Sequence, residues 1–268
     1  MIIGNKNFDT NHHAYIMGIL NVTPDSFSDG GKYNTLDAAL KHAEEMILEG
    51  ADIIDIGGES TRPGYTQISD EEEIHRVCSV IEALKSRFDI PLSIDTYKSK
   101  VAQNAIAAGV DLINDIWGFK YDLDMAHVVA HAQVACCLMH NRTTDVYTNL
   151  MDELLSGLQE SINLALTAGV HKDKILIDPG IGFAKNYETN LKVMQQVDRL
   201  QTLGYPILLG TSKKSMIGLT LNLPADERIE GTVATTVMGL MKGCRFFRVH
   251  NVKENKRALL MSEAILNA

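Results

Sequence analysis

The chain has 268 residues, of which 45% are hydrophobic; that is enough for one sizeable core, and no linker-like stretch divides it, so a single domain over residues 1–268 is expected. A formal net charge of −9 with no basic stripe argues against nucleic acid as a partner. The longest apolar runs are of strand length, short of the roughly 20 residues of a membrane span, and MIIGNKNFDTNHH lacks a charged region followed by an apolar core, so neither a membrane span nor a secretion signal is expected.

Residues 1–14 read as a lead-in, a hairpin closing one end of the core. The run Tyr15 to Leu20 has the length and neighbours of a buried parallel strand and stops at Asn21. Ten residues then pass before Lys32, more than the roughly 2–6 that turn a corner in an α/β unit. They carry Asp25, Phe27 and Asp29, and a long polar loop past a strand's carboxyl end is where α/β folds place chemistry. Helical spacing over 35–49 is closed by Gly50, and ADIIDIGG is a strand leading into Glu59-Ser60-Thr61-Arg62-Pro63-Gly64. A helix over about 70–87 follows, then PLSIDT ending at Asp95, a helix over 99–108, DLINDI ending at Asn114 and Asp115, a helix over 125–131, and ACCLMH ending at His140. Beyond these come a helix over 150–167, KILIDPG ending at Asp178 before the turn Gly180 to Phe183, and a helix over about 188–203. PILLGT ends at Ser212-Lys213-Lys214-Ser215; a helix over 226–242, CRFFRVHN with Arg248 and His250 near its end, and a helix over 253–266 complete the chain. Eight strand-then-helix units at this length predict an α/β fold of the (β/α)8 TIM-barrel type, with a doubly wound open sheet as the alternative. Cys78, Cys136, Cys137 and Cys244 form no C-x-x-C and sit in apolar surroundings, which suits reduced core thiols in a cytoplasmic protein.

In a parallel barrel every strand points the same way, so these carboxyl ends share one rim. Polar residues are common in turns, but a turn preference does not explain long or charged side chains at nearly every end; one polar pocket does. Asp95, Asn114, Asp178 and Lys214 would suit a flat heterocycle, because a carboxylate can accept two parallel N–H bonds. Asn21, Thr61, Arg248 and His250 form a second group, of donor and cationic character, suited to a phosphate or pyrophosphate. Simpler roles stay open for some of these. Asp178 could cap its turn, Asp95 could be a helix N-cap, and Asp55 could be a buried structural carboxylate. His127 and His131 have i, i+4 spacing but fit a surface helix better than a metal site. His140 is undecided, and Phe27 and Phe183 could stack on a flat substrate or pack their loops.

NVTPDSFSDGG at 21–31 and DIGGESTRPG at 55–64 resemble the two long signature stretches of the dihydropteroate synthases. IDT (94–96), IND (113–115), DPGIGF (178–183), GTSKKS (210–215) and RVHN (248–251) follow in that family's order and spacing, so the resemblance covers essentially the whole chain. It implies a transferase of folate biosynthesis and a sulfonamide target. The implied reaction condenses 6-hydroxymethyl-7,8-dihydropterin diphosphate with 4-aminobenzoate to 7,8-dihydropteroate and pyrophosphate by an SN1-like substitution. An inactive pterin-binding paralogue and a methyltetrahydrofolate-dependent methyltransferase are the alternatives. Carried over by motif, Asp95, Asn114, Asp178 and Lys214 hold the pterin. Asn21, Thr61, Arg248 and His250 hold the diphosphate, with Mg²⁺ at Asn21. Phe27, Arg62, Pro63, Phe183 and Ser215 surround the aminobenzoate. The resemblance puts Asp29 and Arg62 on closing loops and, with Asp95, Asp178 and Lys214, among the catalytic residues; it also implies a homodimer. Two positions depart from the family pattern: Lys213 stands where Arg is usual, and Asn251 where Asp is usual.

Overall fold

The computed structural model describes residues 1–22, 32–59 and 67–268; Phe27, Asp29, Thr61, Arg62 and Pro63 lie outside the described residues. The chain opens with an antiparallel hairpin, β1 (Ile2–Ile3) and β2 (Lys6–Asn7). Parallel strands then alternate with helices: β3 (Tyr15–Asn21), α1 (Lys32–Leu48), β4 (Ile53–Gly57), α2 (Asp70–Arg87), β5 (Leu92–Asp95), α3 (Ser99–Ala108), β6 (Leu112–Asp115), α4 (Met125–Ala132), β7 (Ala135–Met139) and α5 (Leu150–Ala168). The second half holds β8 (Ile175–Asp178), α6 (Tyr187–Gln195), β9 (Leu208–Leu209), α7 (Ser215–Leu221), α8 (Ile229–Met241), β10 (Phe246–Val249) and α9 (Val252–Leu266).

The sheet runs β8-β7-β6-β5-β4-β3-β10-β9, every pairing parallel. A further parallel bridge, Ile177 to Ile207, joins β8 to the approach of β9 and closes the ring. This is a (β/α)8 barrel, not the doubly wound sheet, which would keep two free edges.

Strand alternation divides each strand between two cores. Ile16, Leu20, Ile54, Ile56, Ile94, Ile113, Leu138, Ile177 and Phe247 point outward and pack with helical residues such as Met46, Val77, Leu84, Leu154 and Leu158. Met17, Ile53, Leu112, Cys137, Leu176, Leu208 and Phe246 point inward and fill the floor of the barrel. The hairpin contributes Ile3 and Phe8 to that floor, and the Phe8 ring lies 4.7 Å from Tyr15 and 5.6 Å from Phe246. The amino end of the barrel is therefore plugged, which leaves the carboxyl end for polar chemistry.

Two differences from the expected elements fall in the second half. The helix expected to run to Leu203 ends at Gln195 and continues as a 3-10 helix over Val197–Leu203, stopped by Gly204 at φ +76°. Helix α7, in the segment between β9 and α8, was not anticipated; seven residues are too few for helical periodicity to show. Arg228 holds it in place by donating to the carbonyls of Leu223 and Lys213.

Past β4 the chain is anchored by a buried ionic cluster. Lys98 Nζ donates to Glu59 at 2.7 Å, Glu73 at 2.8 Å and the Ile68 carbonyl at 2.8 Å, while the Tyr97 hydroxyl donates to Glu59 at 2.6 Å. This ties down Glu59 and Ile68, on either side of residues 60–66. Replacing Lys98 by Met leaves two buried carboxylates facing one another, so a loss of about 3–5 kcal/mol is expected in urea unfolding; a midpoint equal to wild type would show the cluster to be energetically idle.

Candidate active site at the barrel mouth

The inward register carries polar residues as soon as the floor ends. Asn21, Gly57, Asp95 and Asn114 are successive register partners on β3, β4, β5 and β6, so they form one layer at the carboxyl rim. Gly57 leaves this layer open: a Cβ there would sit 3.5 Å from Asn21 Oδ1 and 4.0 Å from Asp95 Cβ. Asp178 ends β8, with its Oδ2 beside Gly210. Asp55 and Ser93 pair one step deeper.

Arg248 reaches into this layer from β10. Its Nε donates to Asp55 Oδ2 at 2.5 Å and its Nη2 to Asp95 Oδ2 at 2.6 Å, and Asn114 also approaches Asp55 Oδ2 at 3.4 Å. The acidic and cationic groups, separate in the linear pattern, thus share a member. Asp55 has no exposed surface and serves here as the second anchor of the guanidinium. Asp55 Oδ1, Ser93 Oγ and Asp95 Oδ1 are buried and make no hydrogen bond among the described residues. Buried acceptors are nearly always satisfied, so this part of the barrel has acceptor capacity to offer a ligand.

On the cationic side, the His250 amide donates to Ser212 Oγ at 3.1 Å, and Ser212 Oγ lies 3.0 Å from His250 Nδ1. One hydroxyl thus meets both the backbone and the ring of His250 and fixes the orientation of the imidazole. Asn251 precedes α9, and its carbonyl accepts from Asn255 Nδ2 at 2.7 Å. Lys213 sits at φ +56°; its carbonyl accepts from Arg228, and its amide donates to Thr232 Oγ1 at 3.1 Å.

The loop after β8 builds the remaining wall. Gly180 donates its N–H to Asp178 Oδ1 at 2.6 Å. It must be glycine, because at φ +70° a Cβ would lie 2.0 Å from the His140 carbonyl oxygen. Phe183 donates to the Gly180 carbonyl at 3.1 Å, and its ring lies 4.3 Å from Lys214 Nζ, a cation–π distance. It packs partly against Tyr97, Ile116 and Met139. Ser215 opens α7 and lines a cleft of about 330 Å³ with Gly218, Leu219 and Arg228. His140 is buried and lies behind the wall, its Nδ1 3.1 Å from Lys185 Nζ, whereas His127 and His131 face solvent on α4.

Sequence reasoning left Asp55 undecided and passed over Lys185 and Asn190, which hold this loop. Asn190 Oδ1 accepts from the Gly182 amide at 2.7 Å, and its Nδ2 donates to the Lys185 carbonyl at 3.1 Å. The available signal was an acid inside an otherwise apolar strand and a lysine directly after a glycine-aromatic turn.

Both central carboxylates are harder to ionise than usual. Burial raises Asp95 to about 7 against the pull of Arg248, and raises Asp178 to about 6 against the Gly180 N–H and the charge of Lys214. Only the ionised form accepts N–H bonds at both oxygens, and protonation removes it as pH falls. The affinity for a phosphate-free pterin is therefore expected to climb between about pH 5 and pH 8 and to level off above, by titration calorimetry. A flat profile would mean that neither acid receives the ligand.

Residues 17–250 match the family model described as pterin binding enzyme. A dihydropteroate synthase of Clostridium beijerinckii is 63% identical over 99% of this chain and 99% of its own. One from Bacillus subtilis is 54% identical over 94% of this chain and 88% of its own. Among solved structures, a dihydropteroate synthase from Clostridium difficile, crystallised in the presence of pteroic acid, superposes with a TM-score of 0.96 at 49% identity, covering 98% of this chain and 100% of that one.

Proposed function

Because the chain belongs to the dihydropteroate synthases, pterin-binding transferases of folate biosynthesis, we propose that the mouth of its barrel joins 6-hydroxymethyl-7,8-dihydropterin diphosphate to 4-aminobenzoate by an SN1-like substitution. The observation that carries this placement is the polar rim formed by the register partners Asp95 and Asn114 with Asp178 at the end of β8, where one buried Asp95 oxygen has no hydrogen bond among the described residues. Such a rim suits the N–H edge of a pterin, and pteroic acid, present with the Clostridium difficile relative, joins a pterin to aminobenzoate. Asp95 and Asp178 accept from the ring, Asn114 offers an amide of both kinds, and Lys214 closes over it against Phe183. Arg248 and His250, with Asn21 and Thr61, face the diphosphate. Phe27, Arg62, Pro63, Phe183 and Ser215 surround the aminobenzoate, and Asp29 and Arg62 act from their loops.

Charge separates as the C–O bond breaks. Arg248 and His250 stabilise the departing pyrophosphate, while Asp95 and Asp178 stabilise the cation delocalised over the methylene and ring. The aromatic amine is neutral at pH 7 and attacks without a general base. Among the described residues no cluster of three or more His, Cys, Asp or Glu could hold a metal. One amide at Asn21 suits Mg²⁺ that keeps most of its shell from water and substrate phosphate; when bound there it would neutralise charge on the diphosphate.

Dissociation before attack predicts that a bridging ¹⁸O in the pterin diphosphate scrambles into terminal positions without aminobenzoate. No scrambling, with or without the amine, would replace this order by a concerted one. Adding 4-aminobenzoate should release pyrophosphate; folded protein that releases none would be the binding-only paralogue, and methyl transfer from methyltetrahydrofolate would point to the methyltransferase.

Among the described residues no helix is long and apolar enough to cross a membrane, and four free thiols suit a reducing, cytoplasmic setting. A homodimer is supported by exposed Leu219 and Leu221 on α7 and Met238 and Met241 on α8, and sedimentation equilibrium tests it.

A further inference from the structure

Lys185 is only 8% exposed, and an ammonium sits that deep only where its protons are accepted. Its Nζ donates to the Gly180 carbonyl at 3.0 Å and the Phe183 carbonyl at 3.0 Å, and lies 3.1 Å from His140 Nδ1. Three acceptors match the three N–H bonds of an ammonium. Two belong to the turn after Asp178, and the third belongs to the residue that follows β7. His140 can serve as an acceptor because its ring is kept neutral: burial and the charges of Lys185, Lys120 and Arg142 push its pKa down to about 2. Among the described residues no carboxylate pairs with Lys185 directly; the acid whose field reaches it is Asp178.

We propose that Lys185 is a positioning residue for the transfer reaction: its ammonium staples the Gly180–Phe183 turn to His140, which aims the Gly180 amide at Asp178 and sets Phe183 beside Lys214, and its charge holds Asp178 in the ionised, accepting form. The inference rests on the reading that Asp178 receives the pterin. The charged and titratable groups facing this pair come from every neighbouring element. Lys214 at the start of α7, Arg142 and His140 after β7 and Asp178 on β8 surround Lys185, and Arg248 on β10 and the Cys137 thiol on β7 also face Asp178. Burial lowers Lys185 itself to about 7, so its charge is present over the acid side of the range in which Asp178 titrates.

Removing one cation from this set makes Asp178 harder to ionise, so more alkaline conditions are needed to recover the acceptor. In Lys185→Met, which keeps the length of the stem, the acid limb of pterin affinity is expected to move to higher pH. The loss should be roughly five-fold at pH 6, as a rise of about one pKa unit in Asp178 would give, and should shrink toward pH 8.5. Lys185→Arg keeps the charge and should keep the limb near its wild-type pH even if the fit of the turn is poorer. A loss in Lys185→Met that is uniform from pH 6 to pH 8.5, or no loss, overturns the proposal. Wild-type protein supplies a test that does not depend on a variant folding: at pH 5.5 the ¹⁵N-labelled Lys185 ammonium should give a resonance protected from solvent exchange, and a freely exchanging one overturns the staple. Asp178→Asn run alongside separates the two claims. Wild-type pterin affinity in that variant removes the reading of Asp178; lost affinity there, with an unmoved limb in Lys185→Met, removes this inference alone.

Discussion

Asp178→Asn is expected to lose about 1.5–3 kcal/mol of pterin affinity, one to two orders of magnitude, while remaining folded. The two oxygens of Asp178 have different duties. Oδ1 accepts the Gly180 amide at 2.6 Å, which fixes the turn after β8, and an asparagine carbonyl oxygen can do the same. The other position becomes an NH2 group, a donor that meets the N–H edge of the ligand donor to donor. The structure of the turn should survive while the acceptor is lost. Burial raises the pKa of Asp178 to about 6, well above the ordinary value for an aspartate. In the folded state its charge is therefore costly above that pH, and the uncharged amide avoids the cost. The variant's Tm at pH 8 should equal or exceed that of wild type. Calorimetric titration with a pterin, beside differential scanning calorimetry, separates the outcomes: unchanged affinity takes Asp178 out of the site, and a collapse in Tm makes its role structural.

Arg248→Met is expected to cost stability rather than affinity alone. The guanidinium satisfies Asp55 Oδ2 and Asp95 Oδ2 together, and its side chain is 20% exposed beside a fully buried Asp55. Without it two carboxylates face each other in the barrel interior. Leaving buried charges unpaired costs about 3–5 kcal/mol, a fall in Tm on the order of 10 °C in a domain of this size. Asp95, which burial already raises to about 7, can relieve the penalty by taking up a proton. The deficit should therefore be largest at pH 8 and smaller at pH 5.5, where the protonated forms are populated. Adding Asp55→Asn to Arg248→Met removes one of the two charges and should recover part of the loss. A single variant as stable as wild type at both pH values would show that the fork contributes nothing to the fold.

Much of this site was legible before any coordinates, because the relevant pattern is local. A strand alternates its side chains with a period of two, so Ile53-Asp55-Gly57 on β4 and Phe246-Arg248 on β10 place their polar members on one face whatever surrounds them. Parallel strands share a direction, so Asn21, Asp95, Asn114 and Asp178 were bound to meet at one rim. Short-range signals failed where the interaction was long in sequence or the element short: α7 has too few turns to show a period, and its anchor, Arg228, lies beyond its end.

What the sequence determined by itself is the alternation of strand and helix, the polar ending of each strand and the family to which the motifs belong. All of these are written within windows of about ten residues. What only the tertiary structure decided is which of those residues touch. Arg248 meets Asp55, distant by 193 residues, and Asp95, distant by 153, because ring closure brings β10 against β3 and points its side chain across the barrel. Lys185 meets His140 because β7 and β8 pair in register. Contacts of that kind depend on the curvature and closure of the whole sheet, a property no local run of residues carries.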